Sequence, residues 1–336
     1  MTALENDEFP VDHAHTHRAM PEHTVYVDLT HLGLIAVEGV DAARFLQGQL
    51  SNDIDAVTET RSQLNAWCNA RGRVLALVRV YLRSTTYYLQ LPRDHLEATL
   101  DRLRMYVLRS RVTLTDASDV LLQTGIAGAD APALLAHWLD ISLPAKANGV
   151  ASTQLANAAV SVLALPGTQP RFVIIATAAA TRDLRHQCAT TATAASADTW
   201  SLLDIRAGLP AIHGATQDMF VPQMINLDLI DALSFTKGCY PGQEIVARSH
   251  HLGAVKRRMH YARASGNTPP VPGSALYAID SGDKIGHVIT AVIGPEGDTE
   301  LLAVLPTTDT VCQRVRLDGA DGPLLHIMQL PYLLPE

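Results

Sequence analysis

The chain has 336 residues, a net charge of −8 and a hydrophobic fraction of 47%. That is more apolar material than one core usually absorbs, so two or three packed domains are expected. No apolar run approaches the roughly 18 residues that a membrane-crossing helix needs, and the acidic balance disfavours a non-specific grip on nucleic acid. Cys68, Cys188, Cys239 and Cys312 are widely scattered. They offer neither zinc-knuckle nor ferredoxin-type spacing, and no metal site is expected.

Residues 1–24 read as an acidic, solvated tail without the apolar stretch of a secretory signal, in which His13, His15 and His17 alternate. The compartment expected is the cytoplasm, with free thiols. A first α+β segment, 25–120, opens with a strand from Leu32 to Glu38 and a turn at Gly39. A helix follows, capped by Asp41, with Phe45, Leu46 and Leu50 on its apolar face. LNAWCNARGRVLALVRVYL gives two strands about a turn at Asn69 to Gly72, TTYYLQLP gives another, and Asp94 opens a helix through Met105. Strands in quick succession with a helix between them indicate a mixed α+β sheet.

A second α+β segment, 121–250, repeats strand, turn and helix in DVLLQTGIAGADAPALLAHWL, with Asp130 as N-cap. Gly125 and Gly128 lack the third glycine of a dinucleotide loop and read as an ordinary turn. RFVIIAT is a buried strand, and the helix after it carries Cys188 into an Ala/Thr-rich connector. From Trp200 to Gly253 turn residues dominate, as where backbone is arranged around a site. The last segment, 251–336, holds six short apolar runs separated by Gly, Pro and Asp, the pattern of a small antiparallel barrel or sandwich.

The densest chemistry lies in KGCYPGQEIVAR, Lys237 to Arg248. Pro241 and Gly242 suit the two central positions of a type II turn, and a helix begins directly after it. Glu244 and Arg248 are spaced as an i,i+4 pair, and Gly253 is a stop signal. Cys239 therefore stands beside a helix N-terminus, where free N–H groups favour a thiolate, and Lys237 adds positive charge if it shares that face. The residues alone leave two readings open, a reactive thiol or a small buried side chain beside a turn. His250 and His251 are adjacent on the helix and point apart, so they do not form a metal pair.

Lys237, Gly238, Cys239, Tyr240, Gly242, Gln243 and Glu244 match K-G-C-[FY]-x-G-Q-E, the signature of the YgfZ family, and the chain resembles that family over most of its length. FLQGQLSNDI, WCNARGRV, MYVLRSRVTL, AGLP, FVPQMINLDL and LHIMQLPYLLP carry the rest of the resemblance. The resemblance implies the fold of the glycine-cleavage aminomethyltransferase: two α+β domains and a C-terminal antiparallel β-barrel around a central hole that binds folate. It implies a tetrahydrofolate-binding accessory protein for assembly or repair of iron–sulfur clusters in client enzymes. The sequence itself carries no strong oligomerisation signal, so a monomer is expected, and its charge and short apolar runs lead to the expectation of no direct nucleic-acid contact and no membrane.

On that footing Cys239 is the reactive group and Lys237 its electrostatic neighbour. Tyr240, Gln243, Glu244, Arg248, Asn52, Asp53 and Tyr106 are pocket candidates, and the arginine clusters gain a reason in the carboxylates of the folate tail. Two departures stand out. Where the aminomethyltransferases carry an aspartate pair, this chain has Ala76 and Leu77, so the alternative activity, folate-dependent aminomethyl transfer, lacks its acid. The resemblance also implies an acid, common among relatives, at the position where Arg206 stands.

Overall fold

The computed structural model describes residues 23–155, 157–252, 255–308, 314–319 and 322–335. The tail with its three alternating histidines, and Cys312, lie outside these residues. Strand β1 (Val25–Asp28) is followed by β2 (Leu32–Glu38), helix α1 (Ala42–Gln47), β3 (Gln63–Cys68), β4 (Val74–Arg83), β5 (Thr86–Pro92), α2 (Leu96–Arg104) and β6 (Thr113–Asp116). β2 to β6 form an antiparallel sheet in the order β3-β4-β5-β2-β6. The first eight of β4's ten residues are buried, because both faces of this sheet are covered. One face receives α1 and α2 through Phe45, Leu46, Leu50, Leu96, Leu100 and Leu103. Through Leu34, Ala36, Tyr81 and Tyr88 the other meets a second sheet.

Asp41 does not cap α1. Its carboxylate instead accepts from the backbone N–H (2.9 Å) and Nε (3.3 Å) of Arg111, tying the start of α1 to the loop before β6. The expected helix at Asp94 starts two residues later, after a single 3-10 turn.

The second sheet takes β1 together with β7 (Leu121–Ala127), β8 (Val150–Leu155), β9 (Ala158–Ala164), β10 (Arg171–Thr177) and β11 (Thr193–Ala195), in the order β11-β1-β7-β10-β9-β8. The first sheet is thus an insertion between β1 and β7. Two helices, α3 (Ala131–Leu139) and α4 (Ala178–Thr191), cover the outer face, where Cys188 is fully buried. Part of the Ala/Thr-rich connector is a strand, since Thr193 to Ala195 pair in parallel with β1. Gly125 lies mid-strand in β7, where a Cβ would stand 2.5 Å from the Trp200 ring. It is a close-approach glycine and belongs to no turn.

Trp200 belongs to α5 (Ala197–Arg206), which is wedged among all three layers. Trp200 and Leu203 face the second sheet, while Leu202 and Ile205 join a central cluster shared by the first sheet and the C-terminal strands. After α6 (Gln243–Leu252), all six expected runs contribute strands: β12 (Arg257–Ala264), β13 (Ala275–Ala278), β14 (Lys284–Ile293), β15 (Thr299–Pro306), β16 (Val315–Leu317) and β17 (Leu325–Met328). They make one curled antiparallel half-barrel, ordered β16-β13-β14-β15-β12-β17, and a bridge between Arg316 and Leu324 draws its edges together.

Candidate functional site

The turn at residues 240–243 is of type II as expected. Gln243 N–H donates to Tyr240 O (3.2 Å), and Gly242 has φ +79°. A Cβ at Gly242 would also stand 2.3 Å from Asn69 O and 2.7 Å from Gly72 Cα. Gly72, at φ +70°, is pressed in turn against Ile245. The two turns of NARG and YPGQ are therefore packed backbone to backbone, which lays the thiol loop on the β3–β4 end of the first sheet. Cys239 is exposed. Cys68 and Cys188 are buried, and burial pushes each of their thiols up to about 12. Phe235 stacks on His250 of α6 at 3.9 Å, closing the loop onto its helix.

Lys237 has a different task from the one its sequence position suggested. Its Nζ donates to three backbone carbonyls, Gln47 (2.8 Å), Leu50 (2.6 Å) and Asn52 (2.8 Å), at and beyond the C-terminal end of α1. An ammonium has three donors, and all three are spent there instead of on the thiol. Burial lowers the Lys237 pKa to about 8, with nearby Asp53 and Asp55 pulling the other way. Tyr240 is buried beneath the turn, with Lys237 Nζ 5.4 Å from its ring centre; burial, then the neighbouring Cys68, pushes its phenol upward.

The polar groups of Asn52 are likewise committed. Nδ2 donates to Leu64 O and Asp231 O, while Oδ1 accepts from Asp53 N–H. Asp53 Oδ1 takes Gln47 Nε2 (2.7 Å) and Asp55 N–H. Ser51 adds a bond to Ala232 O. The SND segment is a knot fastening the 231–237 loop to the first sheet, and it presents no free pocket groups at Asn52. Glu244 and Arg248 pair at 2.6 Å in solvent, and Gln243 opens α6 half-buried. Tyr106 lies elsewhere, edge-on to Trp67 at 6.1 Å on the helix-covered face of the first sheet.

A cavity of ≈ 290 Å³ opens where the three sheets meet. Leu32 and Pro92 to Asp94 come from the first sheet, Ser201 and Asp204 from α5, Leu209 to Ala211 and His213 from the segment after it, and Thr290 from the half-barrel. His213 Nδ1 lies 3.2 Å from Asp94 Oδ2, and Asp204 pairs with the buried Arg171 at 2.8 Å. His31 Nδ1 is buried and has no hydrogen-bond partner within the protein. Burial lowers the His31 pKa, so the ring is neutral near pH 7. No group of three or more metal-ligating side chains forms among the described residues.

The cavity and the thiol loop share one end of the first sheet. β3 ends, β4 begins, β5 ends and β2 begins there, and two strand spacings of roughly 5 Å separate the turn from the cavity. Segment 209–220 runs between them. After lining the cavity it docks on β4 through Asp218 N–H to Val74 O (2.9 Å) and Val74 N–H to Phe220 O (2.8 Å), and Asn69 Nδ2 donates to Asp218 (2.6 Å).

Comparison with known proteins fits this architecture. Residues 7–165 match the GCVT N-terminal domain family. The "tRNA-modifying protein YgfZ" of Yersinia pseudotuberculosis is 32% identical over 315 residues, covering 92% of this chain and 93% of that protein. Its namesake in Sodalis glossinidius is 32% identical over 316 residues, with the same shares covered. The chain belongs to the YgfZ family. The crystal structure of the glycine cleavage system aminomethyltransferase T from Bartonella henselae superposes with a TM-score of 0.75 at 19% identity, over 94% of this chain and 87% of that one. The three-layer α+β fold is therefore that of the aminomethyltransferases.

Within this YgfZ chain, Ala76 and Leu77 are buried hydrocarbon at 0% and 5% exposure, with no carboxylate at either position. Arg206 holds the fully buried Glu300 of β15 with two bonds, and Tyr261 and Arg263 complete that carboxylate's partners. Arg206 thus serves as a bolt between α5 and the half-barrel. Sequence reading missed His31, Asp94, Asp204 and His213. Its one useful signal was the irregular texture after Trp200, where two of the four lie.

Proposed function

We propose that this YgfZ-family protein binds a reduced folate in the three-sheet cavity and uses the exposed Cys239 thiol to support iron–sulfur clusters in client enzymes. The observation that carries this reading is segment 209–220, which lines the cavity with one end and with the other buttresses the β3–β4 turn on which the thiol loop's own turn is packed. The residues fit a flat heteroaromatic ligand. Leu32, Pro92, Leu209 and Pro210 supply apolar walls, and the orphaned His31 Nδ1 awaits a hydrogen bond from outside the protein. When bound, a tetrahydrofolate would supply a carrier for a one-carbon unit. The chain's own part is to shelter the ring from water and to hold polar groups at the cavity rim.

Cys239 acts as a soft ligand or nucleophile toward a cluster or sulfur species, which is cargo and has no resident ligand set here. The clients would include enzymes that modify tRNA, which accounts for the relatives' name without direct nucleic-acid contact by this acidic chain. It works in the cytoplasm as a monomer. Aminomethyl transfer is disfavoured by hydrocarbon at Ala76 and Leu77. The test is to titrate tetrahydrofolate into wild type and Cys239→Ser while measuring rescue of an iron–sulfur client enzyme in cells lacking the protein. Retained binding with lost rescue is expected. Full rescue by a folded Cys239→Ser protein would sink the role assigned to the thiol.

A further inference from the structure

Among the described residues seven large hydrophobic side chains are exposed, and four of them, Val40, Met105, Tyr106 and Leu108, lie on two loops in contact. Arg111 binds Asp41 through its backbone N–H and its Nε, and a Cβ at Gly39 would stand 2.1 Å from Arg111 O. Leu108 is 87% exposed and has φ +44°. The left-handed region disfavours leucine and suits glycine or asparagine, and so exposed a side chain adds nothing to the core. Neither local geometry nor packing explains a leucine there. We propose that Val40 and segment 105–111 form a docking surface for a protein that presents carboxylates around an apolar pocket, with Leu108 as the side chain that the pocket receives. The proposal rests on the iron–sulfur reading above and gives the client enzyme its place on the chain.

Charge sets the partner's sign. Residues 102–111 hold four arginines and no acid, a local reversal within a chain of net charge −8. Arg104 and Arg111 pair with Asp101 and Asp41, and the exposed Arg109 pairs with no acid among the described residues. The loop is also preformed. Val107 N–H donates to Arg104 O (3.2 Å) and Ser110 N–H to Val107 O (2.8 Å), while Arg104 Nε and Nη2 tie its base to Leu114 O. A fixed apolar centre with arginine at its rim has the composition of a protein interface, and little ordering is left for binding to impose. Nucleic acid would want bases stacked on aromatic faces, but three of the four apolar side chains are aliphatic and Tyr106 stands edge-on to Trp67. An anionic membrane attracts the same groups, but the cargo assigned to Cys239 is held by a protein. Contacts lead from the loop towards that thiol. Tyr106 meets Trp67, Trp67 is bridged to Leu50, and Leu50 O receives the Lys237 Nζ that struts the thiol loop (2.6 Å).

The test takes the client enzyme of the rescue assay, purified in its cluster-free form, and measures its binding to wild type, Leu108→Asn and Arg109→Glu. Leu108→Asn should weaken binding about thirtyfold, the loss of one interface hot spot. Its melting temperature should hold or rise, because asparagine tolerates the left-handed backbone. Arg109→Glu should slow association about tenfold at low salt, with the difference closing in high salt. Client binding equal to wild type in both variants would overturn the surface, as would absence of client binding by wild type. A lowered melting temperature in Leu108→Asn would give the leucine a structural role and overturn its assignment as the anchor. Should the variants instead lose binding to bulk tRNA or to phosphatidylglycerol vesicles while keeping the client, the partner class is wrong. Rescue in cells separates this proposal from the one it rests on: full rescue by Cys239→Ser sinks the role of the thiol, whereas full rescue by both Leu108→Asn and Arg109→Glu sinks the docking surface.

Discussion

Two glycines of KGCYPGQE stand four residues apart and answer to different constraints. Gly242 has positive φ and no room, since its Cβ would meet three backbone atoms of the neighbouring turn. Gly238 has nothing within 4 Å of a built Cβ. Gly242→Ala should therefore cost about 3 kcal/mol or more, because strained backbone and a clash with main chain add and neither can relax through a side-chain rotation. Gly238→Ala should stay within about 0.5 kcal/mol. Urea unfolding of the two variants checks this, and equal destabilisation would show that backbone packing between the two turns does not set the requirement. The comparison also bears on the thiol. An exposed Cys239 beside an unencumbered Gly238 is reachable by a bulky partner, whereas Cys68 and Cys188 are reachable by none.

The thiol loop as an element is held by few bonds, and Lys237 makes three of them. Adjacency along the chain suggested a lysine that serves the cysteine two residues away. Geometry gives it to the end of α1 instead, because the carbonyls there lack donors and carry the negative end of the helix dipole. Lys237→Met should speed hydrogen exchange of the 234–242 amides by roughly tenfold while moving the melting temperature little, since burying the ammonium offsets most of what its bonds return. Unchanged exchange in that loop would refute the strut. Legibility followed the same division. Periodic apolar runs gave strands in each of the three layers, but not β1, β6, β8, β9 or β11, and turn chemistry gave the bend at Pro241–Gly242. The cavity was illegible, because His31, Asp94, Asp204 and His213 are ordinary polar residues far apart in sequence that only the meeting of three sheets brings together. Asp41 was misread for a related reason: its carboxylate had a partner 70 residues away, Arg111, which competes with local capping.

At the scale of the assembled layers, α5 acts as the common wedge, bolted to the second sheet by Arg171–Asp204 and to the half-barrel by Arg206–Glu300. Hydrogen bonds from Arg206 and Tyr261 lower the Glu300 pKa against the opposing effect of burial, so this bolt weakens only below the ordinary carboxylate range. The histidines respond earlier. Burial lowers the pKa of His260 from 6.5 to about 4 and shifts His31 and His287 in the same direction. A folded state that refuses protons accepted by the unfolded chain loses stability as pH falls, starting at 6.5 and ending near the folded value. His260 alone would remove up to about 3 kcal/mol between pH 6.5 and 4, at 1.36 kcal/mol per unit. The expected course is a plateau near pH 7, a decline beginning above the range in which carboxylates titrate, and a shallower decline in His260→Gln. Urea unfolding at pH 7, 6 and 5 measures it, and stability that stays flat over that interval in wild type would mean that these imidazoles gain protons without opening the packed layers.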